Sequence, residues 1–163
     1  MAKSAEMKSV ARRFGEGVAA KRLSEVAKLL APDFVYHAPG FPEIRGPREW
    51  EALTGAFFAN SPNLQFGIDE QVAEEQTVVT RYTWRTVFER EFMGMSPNGQ
   101  ELAVHAVQID HMDESGKITE QWLFDDYLGL FRQLRAVPIA LLQDRMEVPG
   151  GIGERPVPVL PGK

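Results

Sequence analysis

The chain has 163 residues, a formal net charge of −5 and no cysteine. The negative balance argues against nucleic acid as a partner, because phosphates require a basic surface. The lack of thiols excludes disulfides, thiolate nucleophiles and thiolate-bound metals.

Hydrophobic residues make up 44% of the chain and charged residues 25%, the balance of one globular domain with a sizeable core. No run of 18 apolar residues and no leader with an apolar centre can be found, so a cytoplasmic location is expected. Residues 4–19 carry Val10, Phe14, Val18 and Ala19 at helical spacing. Ser24 is placed to cap a short second helix with Val26, Leu29 and Leu30, ended by Pro32. Asp33 to His37 predicts a strand, and Gly46-Pro47 opens a third helix whose apolar face is Trp50, Leu53, Phe57 and Phe58. Leu64 to Val72 alternates apolar and polar residues, and Thr77 to Phe88 is rich in β-branched and aromatic ones, so both predict strands. A long connection, Glu91 to Gly99, follows; its Phe92, Met93 and Met95 suit a lid or a subunit contact. Leu102 to Met112 and Lys117 to Asp126 form two apolar strands around Asp113-Glu114-Ser115-Gly116, a turn sequence. A last helix is predicted over Tyr127 to Leu134.

Three helices, a meander of strands and a further helix predict an α+β fold, with helices covering one side of a curved antiparallel sheet. The domain is expected over residues 1–137. Residues 138–163 form a Pro- and Gly-rich tail, with four prolines and four glycines after residue 147.

The last hairpin holds the site candidate. If Met112 lies opposite Lys117, Val107 faces Trp122, His105 faces Phe124 and Ala103 faces Asp126, all on one side of the sheet. His105 and Asp126 are then diagonal neighbours on an otherwise apolar face that carries Trp122 and Phe124. An Asp in an apolar strand calls for a partner, and His105 supplies one. A one-residue bulge would instead bring Asp125 inward. The phase that keeps Ile118, Trp122 and Phe124 together selects Asp126. Arg81 falls on the face opposite Tyr82 and Trp84, where pairing with a carboxylate is expected. His111, beside the turn, is expected to be exposed.

Three segments resemble the SnoaL-like polyketide cyclase (ester cyclase) family, part of the nuclear transport factor 2-like superfamily. They are Leu30-Ala31-Pro32-Asp33-Phe34-Val35-Tyr36-His37, the connection Glu91 to Gly99, and Gly116-Lys117-Ile118-Thr119-Glu120-Gln121-Trp122 followed by Asp126 and Gly129-Leu130. The resemblance spans about Val10 to Leu134 and implies a cone-shaped α+β barrel, with N-terminal helices packed around a pocket. It also implies cofactor-independent, intramolecular aldol closure of a polyketide ester.

On this resemblance Asp126 is the general acid/base and His105 orients it or stabilises the developing oxygen anion. His37, Tyr36, Trp84, Trp122, Phe124, Trp50 and Phe57 are the residues expected to bind substrate. No close ligand spacing joins His37, His105 and Asp126, and no metal is expected. The implied partners are a small hydrophobic organic substrate and a second copy of the chain, with neither nucleic acid nor membrane. Thr86-Val87-Phe88 departs from the Gly-Thr-His that many members carry before the long connection. An isomerase, dehydratase or epoxide hydrolase on the same fold, or a non-catalytic binding module, are the alternatives.

Overall fold

A computed structural model describes residues 2–91 and 94–136. The tail expected over residues 138–163, and Phe92 and Met93 of the long connection, lie outside the described residues. The first helix, α1 (Ala2–Ala19), buries Met7, Ala11, Phe14 and Val18, one stripe at helical spacing. At Gly17 it meets the next turn so closely that a Cβ would lie 2.3 Å from Val26 Cγ2. The second helix, α2 (Leu23–Val26), is a single turn continued by a 3-10 turn, Ala27–Leu29. Ser24 does not cap it. The hydroxyl of Ser24 bonds Glu51 on the third helix, and Leu30 leaves the helix to begin a strand.

That strand, β1 (Leu30–His37), is followed by a two-residue strand, β2 (Ile44–Arg45), that the sequence did not announce. Helix α3 (Gly46–Asn60) starts where Gly46 and Pro47 predict it, Pro suiting a first turn whose N–H needs no helical partner. Strands β3 (Gln65–Glu74), β4 (Thr77–Val87), β5 (Glu101–Met112) and β6 (Ile118–Asp125) follow, then the short helix α4 (Tyr127–Gln133). The six strands form one curved sheet in the order β2-β1-β6-β5-β4-β3. Its edges, β2 and β3, do not meet, so the cone is unclosed, and β1 runs parallel to β6 while the other pairs are antiparallel. Helix α1 lies against β3 and α3 against β1. No helix among the described residues is long and apolar enough to cross a membrane.

The hairpin turn forms as its residues dictate. Asp113 Oδ1 accepts from the backbone N–H groups of Ser115 and Lys117, and Gly116 takes a φ of 81°. The register beyond it differs from the expected one. Met112 lies opposite Ile118 and His111 opposite Glu120, so Thr119 is an extra residue on β6. Val107 then faces Phe124 and Ile109 faces Trp122. A bulge of this kind inverts the alternation on the strand that carries it. Ile118 points into the core, and after the bulge so do Gln121, Leu123 and Asp125; opposite them stand Met112, Asp110, Gln108 and Ala106, in a buried row that continues through Val104 and Leu102. Val107, Trp122 and Phe124 lie on the outer face and are exposed.

Candidate functional site

A cavity of about 190 Å³ opens between the inward face of the sheet and helices α1 and α3. Its walls are apolar and largely aromatic: Phe14 from α1, Trp50 and Phe57 from α3, Phe66 from β3 and Trp84 from β4. Phe14 and Trp50 pack with ring centroids 5.2 Å apart, and Phe57 meets Trp84 edge-on at 6.0 Å. The polar groups sit in two sets.

The first set surrounds Asp125, the last residue of β6. Trp84 Nε1 donates to Asp125 Oδ1 at 2.9 Å, and the Tyr127 hydroxyl is a second hydrogen-bonding neighbour of the carboxyl. Tyr36 and Tyr82 line the same cavity. Burial raises the Asp125 pKa above the usual carboxylate range, and the bonds from Trp84 and Tyr127 offset only part of that. Burial and the nearby Asp125 charge hold the hydroxyls of Tyr36, Tyr82 and Tyr127 protonated well beyond the ordinary tyrosine range. A carboxyl of raised basicity beside neutral hydroxyls can accept a proton from carbon and then face donors for the oxygen that gains charge.

The second set lies further along the same strands. Asp110 is fully buried opposite Gln121, and both oxygens of its carboxylate are bonded by glutamine amides. Burial pushes its pKa up to about 6 despite those bonds.

The expected catalytic pair lies elsewhere. Asp126 is exposed and caps α4, its Oδ1 accepting from the Gly129 N–H at 2.8 Å. A Cβ on Gly129 would come within 2.1 Å of Asp126 Oδ2, so the Asp126…Gly129 spacing serves the start of the helix. His105 is exposed on the outer face of β5 and shares a hydrogen with the Thr83 hydroxyl at 3.0 Å. The two residues are neighbours through backbone only, Asp126 N–H donating to the His105 carbonyl. Neither reaches the cavity, because the bulge at Thr119 gives the inward position to Asp125. Replacing Asp126 with Ala is expected to cost about 1 kcal/mol of stability, the usual value of an N-cap, in chemical denaturation while ligand binding persists.

Of the expected substrate-binding residues, Tyr36, Trp84, Trp50 and Phe57 line the cavity. His37, Trp122 and Phe124 do not; they form a stack on the outer face. The His37 ring lies 4.1 Å from the Trp122 ring, Trp122 lies 6.2 Å from Phe124, and His37 Nε2 and Glu120 Oε1 are 3.0 Å apart. Arg81 pairs with Asp69 and Glu70, as expected of a surface Arg. His111 is half-buried, with Thr77 Oγ1 3.1 Å from its Nδ1. Among the described residues no group of three or more His, Asp or Glu is spaced to hold a metal ion.

Sequence reasoning missed Tyr127, Asp110, Gln108 and Gln121. A signal existed for the last three: in the alternation Leu102, Val104, Ala106, Gln108, Asp110, Met112 two polar residues interrupt an apolar row, and Gln121 lies across from them.

No curated protein matches this chain at a significant level. Solved structures do. AclR from Streptomyces galilaeus, provisionally assigned as a hydroxylase, is 27% identical with a TM-score of 0.73, over 83% of this chain and 99% of its own. IdmH from Streptomyces antibioticus, provisionally assigned as a polyketide cyclase, shares the fold at 24% identity and a TM-score of 0.72, over 79% of this chain and 98% of its own. TsrD from Streptomyces laurentii does so at 22% identity and a TM-score of 0.70, over 82% and 97%. The sequence model of the SnoaL-like polyketide cyclases matches residues 8–134, and the chain belongs to that family.

Proposed function

We propose that this protein is a cofactor-independent cyclase that closes a ring by intramolecular aldol addition within a polyketide-like ester, using Asp125 as the general base. One observation carries the reading: a half-buried carboxyl of raised pKa, oriented by Trp84, stands in an aromatic cavity of about 190 Å³. Asp125 takes a proton from a carbon flanked by two carbonyls. The electron pair left behind attacks a second carbonyl carbon of the same molecule and forms the new C–C bond. The alkoxide oxygen then receives a proton from the acid form of Asp125, with the Tyr36 and Tyr127 hydroxyls as donors while charge develops. Desolvation of the carboxylate raises its basicity, and the same closed surroundings strengthen the tyrosine bonds.

The apolar row Val107, Trp122 and Phe124 on the outer face suits a second copy of the chain, so a homodimer accompanies this reading. So does a cytoplasmic location.

Incubation with a poly-β-keto methyl ester in deuterated buffer tests the proposal. The expected result is deuterium uptake at the activated methylene above the buffer rate, and a cyclic product isomeric with the starting ester. Neither exchange nor isomer above background across a set of such esters would remove the aldol reading. An isomerase or dehydratase using the same acid would shift the double bond of an enone, or lose water, without forming the C–C bond.

A further inference from the structure

Asp110 is a buried carboxylate outside the proposed chemistry, and the groups around it face the cavity. Gln108 Nε2 donates to both of its oxygens, at 3.0 and 2.8 Å, and Gln121 Nε2 donates to Oδ1 at 2.7 Å. Both glutamines line the cavity; Asp110 stands behind them with no exposure.

A carboxylate accepts and does not donate, so each amide must turn its NH₂ toward Asp110 and its carbonyl away. Among the described residues neither Oε1 atom receives a donor, and no fully covered side-chain N or O lacks a partner. The two carbonyl oxygens are therefore open to the cavity. Thr80, which lines the same end, accepts from Gln71 Nε2 at 3.0 Å. Gln121 and Asp125 both point inward from β6, four positions apart, which is roughly 13 Å at the usual rise of a strand. Two or three fused rings bridge that span between aromatic walls.

We propose that Asp110 is a positioning residue that turns the Gln108 and Gln121 carbonyls into the cavity, making an acceptor end that selects ring-bearing substrates with a hydroxyl donor remote from Asp125. The inference rests on the cavity being the substrate site, and it adds where the substrate must carry a donor: a hydroxyl at the end remote from Asp125, met by the two glutamine carbonyls. An ether or unsubstituted ring there would leave two desolvated carbonyls without donors, which weakens binding.

Fluorescence titration with 2-naphthol and with 2-methoxynaphthalene tests it at pH 7.5. The wild-type protein is expected to bind the naphthol about five- to tenfold more tightly than the ether, the value of one neutral hydrogen bond. Asp125→Asn should keep that preference. Gln121→Met removes one acceptor, and Asp110→Asn lets one glutamine turn its NH₂ into the cavity, so the preference should fall at least threefold in either variant that circular dichroism shows to be folded. Retention of the full preference in both variants, or equal affinity of the two probes for the wild type, overturns the acceptor end and leaves the acid–base reading of Asp125 intact. Binding of neither probe to the wild type overturns both.

Discussion

Asp125→Asn is expected to lower kcat by about 10²–10⁴-fold, the usual contribution of a placed general base, while the fold and ligand affinity persist. Asn keeps the shape of the side chain, and its oxygen can still accept from Trp84 Nε1, so packing against Trp84 and Tyr127 need not change. What is lost is the only form able to take a proton from carbon. The matched control is Asp126→Asn, one residue further on, which keeps a cap oxygen for Gly129 and does not line the cavity. That variant should turn over at the wild-type rate. In the wild type, the acid limb of the kcat profile should lie above the ordinary Asp pKa of 3.8, because burial favours the neutral acid. Full turnover in folded Asp125→Asn, or loss of turnover in Asp126→Asn alone, would move the chemistry out of the cavity.

The second large effect concerns stability. The buried Asp110 has its pKa raised from 3.8 to about 6, chiefly by burial, with Gln121, Gln108 and the neighbouring His111 pulling the other way. The folded protein therefore holds this proton to higher pH than the unfolded chain does. Its stabilising contribution is complete below the unfolded pKa and is lost as pH rises through about 6. The interval corresponds to about 3 kcal/mol. The stability of the wild type minus that of Asp110→Asn, from urea unfolding, should fall by about that amount between about pH 4 and pH 7. All other carboxylates are common to both proteins and cancel in the difference. A difference independent of pH would mean that Asp110 titrates in the fold as it does in water.

Much of this molecule could be read from its residues, and the failures share a cause. Helix α3 begins at Gly46-Pro47, β3 and β4 follow their alternation and β-branched content, and the turn at Asp113 to Gly116 forms as those residues dictate. Each is governed by neighbours in the chain. The two-residue strand β2 and the early start of β1 at Leu30 depend on partners far away, so local patterns do not mark them. The hairpin misled for a different reason. Trp122 and Phe124 alternate like core residues yet lie outside, so apolar periodicity alone chose the wrong side of β6. Thr119 breaks the pattern without any glycine or proline to advertise it. The cavity's aromatic lining, Tyr36, Trp50, Phe57 and Trp84, was expected, whereas the identity of its acid turned on that one residue.

The bulge at Thr119 makes the pairing at this point a switch of sidedness. Drawing that residue into the ladder, with Thr119 in place of Glu120 opposite His111, would carry Asp126 to the interior and Asp125 to the solvent, with Trp122 and Phe124 following inward and Gln121 and Leu123 ejected. Two consecutive aspartates thus hold opposite offices, one facing a reactant and one starting a helix. In this hairpin a slip of one residue in pairing would do more damage than most changes of residue type, since it exchanges the two offices and turns the strand inside out at a stroke.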